Sequence, residues 1–169
     1  MMDELKESLW KQFGASIDML KNGMMECPDD LFSNNKKFFY MVYHTLLFLD
    51  YYLTFPATKF SSPLPFTESG NIPKDAIDDL VPDRFYSKAE LLDYLHASRE
   101  KCRTLIARLT EEKLKERWIE QSGTRNYSAI ELLLYNMRHV QHHAAQLNLL
   151  LRQQINRSPG WVSKAKDDL

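Results

Sequence analysis

At 169 residues, 44% of them hydrophobic, the chain has the length of one domain, residues 1–169, and enough apolar side chain for a sizeable core. Lys+Arg 22 against Asp+Glu 23 leaves a formal net charge of -1, without the basic excess that nucleic acid or an anionic membrane surface demands. Cys27 and Cys102 form no Cys-x-x-Cys pattern, so neither a disulfide framework nor a thiolate zinc site is expected, and a reduced, cytoplasmic setting fits.

The first residues mix charges in a way no signal peptide does, and no later run reaches the roughly 18 apolar residues of a membrane span. Leu5, Leu9, Phe13, Ile17, Leu20 and Met24 recur every three or four residues, the pattern of an amphipathic helix, and Gly23 and Pro28 mark its end. A second helix is predicted over about residues 36 to 55. It is apolar around most of its circumference, which places it centrally in a bundle or against a second subunit. Between residues 56 and 81, Pro56, Pro63, Pro65, Pro73 and Gly70 exclude a long helix and predict an extended loop. Its Phe60, Leu64, Phe66 and Ile72 are candidates to roof a cavity, or simply to cover core edges.

Ser87-Lys88-Ala89-Glu90 matches a capping box and opens a third helix through Leu91, Leu95, Cys102, Ile106 and Leu109. Thr110 is expected to cap a short helix through Leu114 to Trp118, followed by a polar turn over residues 121–126. Ser128-Ala129-Ile130-Glu131 repeats the capping pattern and starts a fourth long helix that runs to about Ile155 and stops before Pro159-Gly160. Trp161, in the tail, is a candidate to fold back over the same end as the loop. Four long helical patterns with no strand alternation predict an all-α fold: a four-helix bundle with a long crossover loop after the second helix.

His139 and His143 stand four residues apart on the fourth helix, so both imidazoles leave one face at metal-ligand spacing. Leu132, Asn136, Gln146 and Leu150 share that stripe, a mixture suited to a partly open cavity in which Asn136 and Gln146 orient a ligand or the imidazoles. Taken alone, an H-x-x-x-H pair reads more readily as two solvated side chains, and no H-E-x-x-H glutamate supplies a base. The best third ligand is His44, the single histidine of the apolar second helix, where an unpartnered imidazole is costly to bury. His142 points about 100° away from His143 and belongs to the flank. His96 reads as a surface residue, Cys102 as a small core side chain, and Glu131 as a cap.

With His44 on the second helix, His139 and His143 on the last, and Gln146 three residues on, the chain resembles the DinB-like family of bacterial four-helix-bundle proteins. In that family the H-x-x-x-H pair is commonly followed by R-G-Q; here Ala144-Ala145-Gln146 keeps only the glutamine. The resemblance implies a divalent ion, zinc or nickel most often, held by His44, His139 and His143 at one end of the bundle, and a homodimer. Some relatives are thiol-dependent transferases or isomerases that use low-molecular-weight thiols, and family membership does not fix chemistry.

Three neutral imidazoles leave an ion with an open position, the geometry of a catalytic rather than a structural site. The leading expectation is therefore a metal-dependent transferase or hydrolase acting on a small molecule, with a water or thiolate on the ion as the reactant. Two other readings stand beside it: a non-catalytic, stress-related metal or ligand-binding protein, and a dimeric structural module whose histidines are relics.

Overall fold

The apolar stripe of the first helix buries Leu9, Trp10, Phe13, Ile17, Leu20 and Met24 along α1 (Met2–Glu26) in the computed structural model, which describes residues 1–169. Gly23 does not end this helix. Its place inside α1 reflects close packing, because a Cβ there stands 3.2 Å from the Asn148 side chain. The stop comes at Cys27, held extended by the following Pro28. A short helix that the sequence pattern did not announce, α2 (Asp29–Asn34), leads to Asn35, whose side chain accepts from Phe38 N at 3.0 Å and caps α3 (Lys36–Tyr52). α3 ends three residues earlier than expected, but its girth is as predicted: Phe38, Phe39, Val42, Tyr43, Leu46 and Leu49 are all buried.

The segment between α3 and the next long helix contains one helical turn (Ala57–Lys59) and a pair of three-residue strands, β1 (Phe66–Glu68) and β2 (Leu80–Pro82), antiparallel with Phe66 opposite Pro82. It is pinned to the helices: Tyr43 Oη donates to Leu64 O and Tyr86 Oη to Pro65 O, both at 2.6 Å. The capping box is present at α4 (Lys88–Ala107), with Ser87 Oγ accepting from Glu90 N and Ser87 N donating to the Glu90 carboxylate.

After α5 (Glu111–Lys115), capped by Thr110 as expected, the chain does not continue helically to Trp118. Instead β3 (Arg117–Ile119) pairs antiparallel with β4 (Asn126–Ser128), Trp118 opposite Tyr127. Strands of three residues are too short for period-two alternation to emerge from sequence. The turn between them needs Gly123, whose φ of +76° lies in the left-handed region. Ser128 then caps α6 (Ala129–Ile155), which ends on Asn156 in the left-handed conformation.

Each of the four long helices packs closely on two others, α1 on α6 and α4, and α3 on α6 and α4. The molecule is mostly helical and the two hairpins lie in the connections. The tail runs along α1 rather than over the loop: Ala165 N donates to Lys11 O, Trp10 Nε1 donates to Asp167 O, and Arg99 pairs with both Asp18 and Asp167. Trp161 is 71% exposed. No helix is long and apolar enough to cross a membrane.

Candidate metal centre

α3 and α6 pack face to face, and one hydrogen bond fixes their alignment beside the histidines: the buried Asn136 donates through Nδ2 to Leu49 O at 3.0 Å. Asn136 therefore ties helix to helix rather than orienting an imidazole, while its Oδ1 is buried without a partner. Around this contact His44, His139 and His143 converge, with one nitrogen from each lying within 4.8 Å of the other two. His44 Nε2 and His139 Nε2 stand 3.1 Å apart.

The far nitrogens of two rings are held by their own partners. His44 Nδ1 lies 2.6 Å from Asp78 Oδ2, and His143 Nδ1 lies 2.7 Å from Gln146 Oε1. A carboxylate and an amide oxygen accept, so each ring donates from Nδ1 and leaves its Nε2 for the centre. Asp78 is itself oriented, since its Oδ1 accepts from Leu80 N at 3.0 Å at the start of β2. His139 Nδ1 has no such partner and is buried.

Burial, reinforced by the neighbouring histidines, depresses the pKa of His139 from 6.5 to about 3. Burial, reinforced mainly by His44, lowers that of His143 to about 4, against a raising contribution from the Gln146 bond. Near pH 7 both imidazoles are neutral and hold lone pairs, the state a cation requires.

A divalent ion fits this donor set. Imidazole nitrogens bound at about 2.0–2.1 Å in a tetrahedral arrangement stand about 3.3 Å apart, close to the 3.1 Å between His44 and His139. The centre opens into a cavity of about 350 Å³ walled by His44, His139, Phe48, Tyr52, Asp78 and Tyr135, with Asp79 and Arg125 also on its lining. His143, 7% exposed, is the most deeply buried of the three. Burial raises the Tyr52 phenol well above its ordinary pKa, with the Tyr135 hydroxyl beside it, so Tyr52 stays a protonated donor.

A larger cavity, about 570 Å³, is lined by Lys101, Arg108, Lys113 and Leu105, but it contains no histidine or cysteine and is not where the metal-type ligands meet. His142 and His96 are exposed, Cys102 is fully buried with its thiol pKa pushed up by desolvation, and Glu131 is exposed at its cap. Of the two readings of the loop's apolar residues, covering core edges holds for Phe60, Leu64 and Phe66, which pack against the core, while Ile72 is exposed. It is Asp78 and Asp79 of the loop that reach the cavity. Nothing in the run Lys74-Asp75-Ala76-Ile77-Asp78-Asp79 distinguishes its three acids by pattern, and Arg125 sits in a turn that reads only as polar.

The family model of the DinB superfamily matches residues 37–147, more than half of the chain. The chain belongs to the DinB superfamily. The matched span holds His44, His139, His143 and Gln146 together with Asp78 and Arg125. No curated protein and no solved structure matches the chain. As a DinB protein it carries alanines at 144 and 145, and Ala144 is buried in the core.

Proposed function

We propose that this protein is a DinB four-helix bundle that holds one divalent ion, zinc or nickel, on His44, His139 and His143, and that it is a metal-dependent enzyme of thiol S-transferase or hydrolase type acting on a small molecule. The observation that carries the reading is the 3.1 Å approach of two Nε2 atoms whose rings line a 350 Å³ cavity, with a nitrogen of the third, buried His143 within 4.8 Å of both. Three protein ligands leave a position for a reactant. When bound, the ion supplies a Lewis acid that polarises an oxygen or sulfur group placed against it.

The chain's own residues have separate tasks. Asp78 fixes the His44 tautomer and increases its donor strength. Gln146 does the same for His143 without adding charge. Phe48 and Tyr52 form an aromatic wall that keeps water from one side of the cavity, and the Tyr52 hydroxyl, protonated at neutral pH, is available to donate to a bound molecule. A low-molecular-weight thiol is a suitable co-reactant, because its sulfur is a good ligand for such an ion.

Elemental analysis of protein purified without a histidine tag should give close to one divalent ion per chain, and His139→Ala should abolish it. Metal retained at full stoichiometry by the variant refutes the ligand assignment. A panel of small thiols with electrophilic acceptors, with zinc, nickel or manganese, then tests catalysis; absence of metal-dependent turnover returns the chain to a ligand-binding role. The homodimer rests on family resemblance alone, since the aromatic girth of α3 is consumed within one chain. Light scattering at micromolar concentration checks it, and a monomer removes it.

A further inference from the structure

The cavity has one permanently charged cation in its lining, Arg125, and the reason it is there lies in the β3–β4 hairpin. Trp118 of β3 is fully buried, donates through Nε1 to Thr54 O at 3.0 Å, and meets Tyr51 and Tyr52 edge-on. β4 is anchored in turn by Tyr127, stacked on Tyr135 of α6. Between these anchors the turn closes through Glu120 N donating to Arg125 O at 2.9 Å. The hairpin thereby holds Arg125 at the cavity wall from an element that is itself fixed to α3 and α6.

The guanidinium donates through Nη1 to Glu120, and this is its single side-chain partner. Four of its five N–H donors make no hydrogen bond within the protein. Arg125 lines the cavity with its side chain 40% exposed, so these donors are open to a ligand, and a planar fork matches a carboxylate, which it grips with two parallel bonds. Asp78 and Asp79, on the same lining, disfavour a second acid group in the molecule bound there.

We propose that Arg125 is the anion-binding residue of this cavity and that its ligand is a small monocarboxylate, the acid seated on Arg125 and the reacting end at His44 and His139. The inference rests on the metal reading for the position of the reacting end, but not for the acid.

The test uses thiols of graded length, mercaptoacetate, 3-mercaptopropionate and 4-mercaptobutyrate, each against its methyl ester, titrated into cobalt(II)-loaded protein and followed in the visible spectrum. At least one acid should bind about tenfold more tightly than its ester, the scale of a charge-assisted bidentate pair. Arg125→Gln should collapse that ratio to near one, and Arg125→Lys should keep part of it. Thermal melting of both variants reports on folding. Equal affinity of every acid and its ester, or a ratio that survives in Arg125→Gln, overturns the proposal. Should cobalt fail to bind, or bind equally in His139→Ala, the metal reading falls by itself. The same acid and ester pairs are then compared on the metal-free protein by ligand-observed NMR, where an Arg125-dependent preference for the acid upholds the inference and its absence overturns it.

Discussion

Replacing Asp78 by Asn is a sharp test of how the loop serves the helices. The carboxylate lies 2.6 Å from His44 Nδ1 and is held in place by Leu80 N, so Asn can keep a hydrogen bond through its oxygen while losing the charge. Partners of this kind change metal affinity by about 10–100-fold, or about 1.4–2.7 kcal/mol. The side chains of His44 and Asp78 are 14% and 27% exposed, so water screens the pair in part. That places Asp78→Asn near the lower bound, about tenfold, and Asp78→Ala, which also frees the ring to rotate, nearer the upper bound. Competition against a fluorescent zinc chelator at neutral pH reads both dissociation constants. Asp79→Asn is the control: it removes a charge from the same cavity without touching His44. Affinities within twofold of the unaltered protein for both Asp78 variants, or an equal loss in Asp79→Asn, refute the assignment of Asp78 as the group that positions His44.

Acid should destabilise the metal-free protein through its buried imidazoles. His139 and His143 titrate lower in the folded chain, at about 3 and about 4, than the 6.5 of an unfolded histidine. Between those limits the unfolded state binds more protons, so the stability present above pH 6.5 is lost as the pH falls toward 4 and below. The urea midpoint should drop between pH 7 and pH 4.5, and less steeply in a His139→Gln, His143→Gln double variant; parallel slopes contradict the assignment. Within α1, a Cβ on Gly14 would stand 2.8 Å from the Ala165 Cβ where the tail crosses the helix. Gly14→Ala should cost about 1–3 kcal/mol by overpacking, and Ala165→Gly in the same chain should restore most of it. Urea unfolding of the single and double variants checks this, and a neutral Gly14→Ala shows that the tail gives way.

The helical part of the fold and the three histidines were legible because both follow from a 3.6-residue period. The α1 stripe, the girth of α3, the Ser87 and Ser128 caps and the His139–His143 spacing are all one-dimensional patterns. The residues surrounding the histidine cluster were not, because contact across long separations leaves no local period. Asp78 meets His44 from 34 residues away, and it resembles Asp75 and Asp79 beside it in the sequence. Gln146 was legible for the opposite reason, standing one turn beyond His143 on the same helix face. Trp118 was misplaced in a helix since Leu114 and Trp118 are four apart, a helical spacing that the turn to β3 at Glu116 breaks.

This difference in legibility follows the division of labour in the site. The imidazoles come from α3 and α6, whose mutual position is fixed by a packed core and by the Asn136–Leu49 bond. The charged groups around them, Asp78, Asp79 and Arg125, come from the non-helical connections. Donor groups for an ion need support from rigid elements, which a packed pair of helices supplies. A connection need only deliver a charge to the cavity wall, where the energy varies slowly with distance. Exchanging the β3–β4 turn, anchored at both ends by Trp118 and Tyr127, should therefore alter which molecule the cavity accepts while leaving the separation of His44 and His139 intact.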